Sequence, residues 1–149
     1  MLLYEQIGKG QESIDAALKM VTGGSENAED WICLIAAYQV HGEQEKAYEW
    51  FLKAIKKFPE KAALYIYGGD TCKRLGQYEE AFSYWEKALQ LDPSHLDAKY
   101  SMGFCYQELG DYRKAYDIWC EIADAWKTAG YETEAKHEME LAQKCKEHW

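Results

Sequence analysis

A metal centre or a catalytic site in this 149-residue chain would have to draw on five cysteines, four histidines and 26 carboxylates. Zinc asks for thiolates or imidazoles in close pairs. Cys33, Cys72, Cys105, Cys120 and Cys145 form no CxxC and no paired spacing, and their number is odd. That favours reduced thiols of a cytoplasmic protein, serving as small buried apolar side chains, over a disulfide frame or a zinc site. His41, His95, His137 and His148 are scattered, three of them beside predicted helix ends, which suits surface or capping roles. Glu134, His137, Glu138 and Glu140 do cluster, but a charged helix face is ordinarily a solvated face. A hydrolase or transferase needs a nucleophile, a base and an oxyanion donor that converge, and the spacing carries no trace of them. No GxGxxG or GxxxxGK[ST] occurs, and the glycine pairs Gly23-Gly24 and Gly68-Gly69 fall at a loop and at a helix-packing position. The residues therefore point to a non-enzymatic protein with no metal and no cofactor.

Charge narrows the partners. Seventeen Lys and Arg against 26 Asp and Glu leave a net charge of −9, the opposite of the basic footprint that binds nucleic acid. Residues 1–75 carry 9 basic and 11 acidic groups and residues 76–149 carry 8 and 15, so a partner meeting the later half is expected to be basic or neutral. The acidity also disfavours anionic lipid, and no apolar run approaches the ~20 residues a membrane span needs. Met1 to Gly10 lacks a basic segment followed by a long apolar one, so it does not read as a secretory signal. With 48% apolar and 29% charged residues, a soluble globular domain is expected.

The elements that would position any site emerge when the chain is laid over itself with a shift of 34 residues. Tyr38, Cys72 and Tyr106 then share a column, as do Gly42, Gly76 and Gly110; Ala47, Ala81 and Ala115; and Phe51, Trp85 and Trp119. Trp31 pairs with Tyr65, Gly69 with Gly103, Ala54 with Ala88, and Pro59 with Pro93, which uses both prolines. Within a unit, apolar residues recur at three- and four-residue steps up to a glycine and resume after a few polar positions, the pattern of helix, turn, helix. Trp31, Leu34, Ile35 and Tyr38 make one stripe; Ala47, Trp50, Phe51, Ala54 and Ile55 make the next. The glycine column supplies left-handed turn residues, the small alanines permit close helix crossing, the large aromatics fill the gap, and the prolines stop the second helices.

These residues resemble the tetratricopeptide repeat, W-x2-L-G-x2-Y, A-x3-F, P over 34 residues. Trp31, Leu34, Tyr38, Ala47, Phe51, Ala54 and Pro59 carry the match in unit 28–61, and Tyr65, Gly69, Ala81, Trp85, Ala88 and Pro93 carry it in unit 62–95. Unit 96–129 keeps Met102, Gly103, Tyr106, Ala115 and Trp119, while Lys99 in place of the aromatic predicts a looser start to its first helix and Lys127 in place of proline a longer second one. Residues 1–27 read as a partial N-terminal repeat. Tyr4 falls in the tyrosine column and Gly8 in the turn column, which puts Met1 partway through a first helix; Ile14, Ala17, Leu18 and Val21 then face inward from the second. Residues 130–149 read as a capping helix with Tyr131, Ala135, Met139, Ala142 and Cys145 on its buried face. The resemblance implies a single all-α domain, an α-solenoid of antiparallel helix pairs with about eight helices in a right-handed superhelix.

It also implies where binding occurs, on a concave face lined by the first helix of each pair. Most of the 22 aromatics are accounted for by core columns. Offset from those columns, Ile32, Ile66, Tyr67, Tyr100 and Phe104 form an apolar and aromatic patch for an extended or helical peptide, with Gln39, Asp70, Lys73 and Gln107 to hydrogen-bond its backbone or ends. Three occupants are open: a protein or peptide partner, a second copy of the chain as in a homodimer, or the capping helix itself through Glu134, Glu138 and Leu141. Small acidic secretion or assembly chaperones with three such repeats are a further resemblance. The ring of Lys, Asn, Asn, Lys and Arg by which some relatives clamp a chaperone's terminal carboxylate is missing, for its places hold Ile32, Ala36, Tyr67, Asp97 and Ser101.

Overall fold

The computed structural model describes the backbone of residues 2–149 and the side chains of residues 10–149. Among the described residues there are eight α-helices and no strand: α1 (Leu2–Thr22), α2 (Ala28–Val40), α3 (Gln44–Lys57), α4 (Ala62–Arg74), α5 (Tyr78–Leu91), α6 (Leu96–Glu108), α7 (Tyr112–Thr128) and α8 (Glu132–Lys146). They form two compact units, Met1–Asp92 and Pro93–Trp149.

Each hairpin turns where the glycine column falls. Gly42, Gly76 and Gly110 have φ of 80 to 85°, a region closed to most L-residues. At Gly76 the amide bonds to the carbonyl of Lys73 at 3.0 Å and the next amide, of Gln77, reaches back to Cys72 at 2.8 Å, so two carbonyls left open at the helix end are satisfied. Asn27 starts α2 by accepting the Glu29 amide at 3.1 Å, and Asp111 starts α7 by accepting that of Lys114 at 3.3 Å. The helices α3 and α5 end two residues before Pro59 and Pro93. Lacking that proline, α7 runs to Thr128 and is three residues longer than either.

In the unit Met1–Asp92, Ala47, Ala81, Phe51 and Trp85 are fully buried, as core columns must be. The Phe51 ring packs over Gly68 and the Trp85 indole over Gly69, where the missing side chains leave room for them. In the unit Pro93–Trp149, Trp119 packs over Gly103, and Ala115, Ile122, Ala142 and Cys145 complete the core.

Three expectations are corrected. α1 is one unbroken helix through Gly8. Nine residues after each working turn glycine stands Phe51, Trp85 or Trp119, whereas Ala17 holds that place after Gly8, so a fold-back there would have no large side chain to bury. The role given to the Tyr4 side chain lies outside the described residues, as does the placing of Met1. α6 starts no more loosely than α2 or α4, since all three have 13 residues, and Lys99 is held at 3.7 Å from Glu121. Finally, Tyr131 and Met139 are about half exposed while Glu138 is buried, so α8 docks through Ala135, Glu138, Ala142 and Cys145.

The cysteines carry a prediction. No disulfide joins them; Cys33 is exposed, whereas Cys72, Cys105 and Cys145 are buried. Burial, with Glu80 adding, pushes the Cys72 thiol up from the ordinary 9.0 to about 11, and burial also raises Cys145. In the folded protein a thiol reagent at neutral pH is expected to modify Cys33 quickly and the three buried thiols only after denaturant is added, as peptide mass mapping would report. Because the folded pKa of Cys72 lies above the unfolded one, its neutral form favours folding. That contribution is intact below about pH 9 and lost as pH rises through about 11.

Candidate protein-interaction face

The nine residues expected to line the face do not share one fate. Ile32, Gln39 and Ile66 are buried, at 6 to 7% exposure; Tyr67, Asp70, Lys73, Tyr100 and Gln107 are half-buried; Phe104 is 46% exposed. The first three are therefore supports beneath a surface rather than the surface. Their offset from the main stripe was read as exposure, but a first helix packed between neighbours buries more than one stripe.

In the first unit the face belongs to α4. Gln39 reaches across from α2, its Nε2 donating to the Tyr67 carbonyl at 2.9 Å and to Thr71 Oγ1 at 2.5 Å, while the Thr71 hydroxyl donates to the same carbonyl at 2.8 Å. In return Arg74 donates to the Gln39 carbonyl at 3.3 Å. From the other side the Trp85 indole N–H is shared between the Ile66 carbonyl, at 3.3 Å, and Asp70 Oδ1, at 3.2 Å. With α4 held at both flanks, Tyr67, Asp70 and Lys73 lie at three-residue steps along it. Thr71 and Arg74 take part in this clamp, and the repeat columns gave no hint of Thr71.

In the second unit the face belongs to α6. Phe104 meets the Trp119 ring edge-on, with centroids 4.9 Å apart at 71°. Its column is that of Asp70, so the aspartate that accepts the Trp85 indole has no counterpart here, and the buried Trp119 N–H is left with the Cys145 thiol, a weak acceptor, in place of a carboxylate. One turn earlier the Tyr100 hydroxyl donates to Glu138 Oε1 of α8 at 2.5 Å and accepts the Trp126 indole N–H at 2.9 Å. Burial and the bond to Glu138 push the Tyr100 hydroxyl up to about 12. Tyr100 is thus engaged by the capping helix, whereas Phe104 stays open. Glu138 stands in the sequence reading as a residue through which the capping helix covers this patch, though not on that helix's buried face, where its place three residues after Ala135 and four before Ala142 puts it.

Glu138 Oε2 is also buried and without a partner, which leaves Tyr100 as the donor its carboxylate depends on. Tyr100→Phe is therefore expected to cost about 1–3 kcal/mol. Removing the carboxylate as well, in Tyr100→Phe with Glu138→Leu, is expected to recover most of that loss in urea unfolding.

The sequence periodicity, the glycine-turned hairpins and the tryptophans packed over Gly69 and Gly103 recur at one 34-residue interval, and a family model described as Tetratricopeptide repeat matches residues 74–118. Residues 74–118 carry a tetratricopeptide repeat, and the fold of the chain is that of a tetratricopeptide-repeat array. Two crystal structures of MamA are 21% identical to it over 96% of this chain and 86% and 92% of theirs, each with a TM-score of 0.64. The TPR2B domain of yeast Sti1, solved in complex with pHsp70, is 19% identical over 84% of this chain and all of that one, with a TM-score of 0.73. No curated protein matches the chain. Tetratricopeptide repeats are in general protein–protein interaction modules. Among the described residues no helix is long and apolar enough to cross a membrane.

Proposed function

We propose that this chain is a non-enzymatic cytoplasmic module that binds a protein segment through the first helices of its repeats. Each unit offers its own contacts, Tyr67, Asp70 and Lys73 on α4 of the first and Phe104 and Gln107 on α6 of the second. The observation that carries this reading is Phe104. A phenylalanine 46% exposed, where the preceding unit has an aspartate hydrogen-bonded to its tryptophan, gives up solubility and a carboxylate acceptor for the buried indole. Local rules broken in this way concentrate at functional sites. The yeast Sti1 domain in complex with pHsp70 supports a protein ligand. With Ile32, Ala36, Tyr67, Asp97 and Ser101 at the clamp positions, recognition rests on side chains and backbone of the segment rather than on a terminal carboxylate.

The test is crosslinking and pulldown from cytoplasmic extract, comparing the wild type with Tyr67→Ala, Phe104→Glu, Gln107→Ala. Tyr100 is left in place because it supports α8. Specific partners are expected to be lost with helicity unchanged by circular dichroism. An identical partner list would overturn the proposal.

A further inference from the structure

A second surface lies on α3, away from the residues assigned above. Lys53, Lys56, Lys57 and Lys61 put four of the seventeen basic residues within nine positions of a chain whose net charge is −9. The first three fall at steps of three and four, on one side of the helix. Beneath them is an aromatic cluster: Trp31 meets Trp50 edge-on with centroids 5.9 Å apart, and Phe58 likewise at 6.0 Å. Lys53 Nζ stands 4.4 Å from the Trp50 ring centroid, and Lys57 Nζ stands 5.6 Å from that of Trp31 and 5.9 Å from that of Phe58. All three rings are half-buried.

Lysines at a helix C-terminus complement its dipole, and that is the plain alternative. The chain supplies its own control. One repeat later the same four places hold Lys87, Gln90, Leu91 and His95, and α5 ends with no basic residue in its last turn. A second helix of this fold therefore forms without the cluster. Lys61, moreover, lies beyond the end of α3.

We propose that this surface docks an acidic protein segment, whose carboxylates pair with Lys53, Lys56, Lys57 and Lys61 while an apolar side chain rests on Trp50. Carboxylates already fit there. Glu26 lies 3.2 Å from Lys57 and Glu29 lies 3.0 Å from Lys61, with side chains 86% and 60% exposed. Exposed pairs of this sort are worth about 0–1 kcal/mol, so incoming carboxylates can replace them. Ammonium groups held over rings add a cation–π component that a lysine in open water lacks. Glu49 and Glu60 bound the lysines, so the positive stretch is nine residues long and fits a few carboxylates rather than the long phosphate run of nucleic acid or a bilayer surface.

The probe is a blocked peptide of glutamates around a central leucine, titrated at low salt against the full chain and followed by tryptophan fluorescence. Saturable binding is expected. It should weaken by about ten-fold or more in Lys53→Glu, Lys56→Glu, Lys57→Glu, and by less than about two-fold in Lys127→Glu, Lys136→Glu, Lys144→Glu, which changes the net charge equally. Circular dichroism checks that both variants fold, and Lys53→Gln, Lys56→Gln, Lys57→Gln should show an intermediate loss. Absence of saturable binding, equal loss in the two Glu variants, or tighter binding to phosphatidylserine vesicles or single-stranded oligothymidylate would overturn the proposal.

Discussion

Trp85→Ala is expected to lower stability by about 3–5 kcal/mol, the range for removing a fully buried tryptophan. The side chain is 0% exposed, its indole fills the space over Gly69, and Phe82 meets it edge-on at 5.4 Å. Truncation leaves that space empty. It also takes the indole donor from the Ile66 carbonyl and Asp70, both on α4, the helix that carries the proposed contact residues of the first unit. For a chain of this size the loss corresponds to a fall in melting temperature on the order of 10 °C. Thermal unfolding followed by circular dichroism reads it directly. A fall of only a degree or two would mean that the space over Gly69 closes when the indole goes, and that the interlock described here is not what holds α4.

Gly68→Ala is the sharper test because two principles give opposite signs. Glycine inside a helix is about 1 kcal/mol worse than alanine, so propensity alone predicts a gain. Packing predicts a loss: a Cβ at Gly68 would fall within van der Waals contact of three atoms of the Phe51 ring. Phe51 has nowhere to go, being 0% exposed and met edge-on by Tyr84 at 4.8 Å and by Tyr65 at 6.2 Å. Overpacking of this kind costs about 1–3 kcal/mol and sometimes more, so a net loss of about 2 kcal/mol is expected in chemical denaturation. Combining it with Phe51→Leu separates the causes. The smaller side chain makes room, and the double variant is expected to be more stable than the two single losses added together predict. A rise in stability for Gly68→Ala alone would show that propensity outweighs packing here.

The glycine pair at 68 and 69 illustrates how far spacing carries. Gly69 belongs to a column with Gly103 and could be read as a place where a neighbour comes close, and Trp85 and Trp119 do come close there. Gly68 belongs to no such column, and that it receives Phe51 from the preceding repeat emerges only when the repeats stack. The capping helix repeats the lesson. Its existence, and its start after the Gly130 turn, follow from composition and a glycine. Which side faces in did not follow, because a charged residue ordinarily points outward. Glu138 goes in because Tyr100 is waiting with a donor 38 positions earlier in the chain.

Among the candidate contact residues the division is the same. Phe104 and Tyr67 were legible as aromatics outside the core columns. Gln39 was equally legible as a polar residue off the stripe, yet it is consumed by the Tyr67 carbonyl and Thr71. No local feature distinguishes a glutamine that will meet a ligand from one that will meet its own neighbour.

By itself the sequence determined the repeat length, the turns, the helix stops and the small-against-large crossings. Each of these is a local requirement, a left-handed φ, a missing amide hydrogen or a side-chain volume, and it recurs every 34 residues. Only the tertiary structure decided which polar side chains were left for a partner. That depends on donors and acceptors brought together from distant positions, Gln39 with Thr71, Asp70 with Trp85 and Tyr100 with Glu138. A buried polar group must find such a partner wherever the packing supplies one.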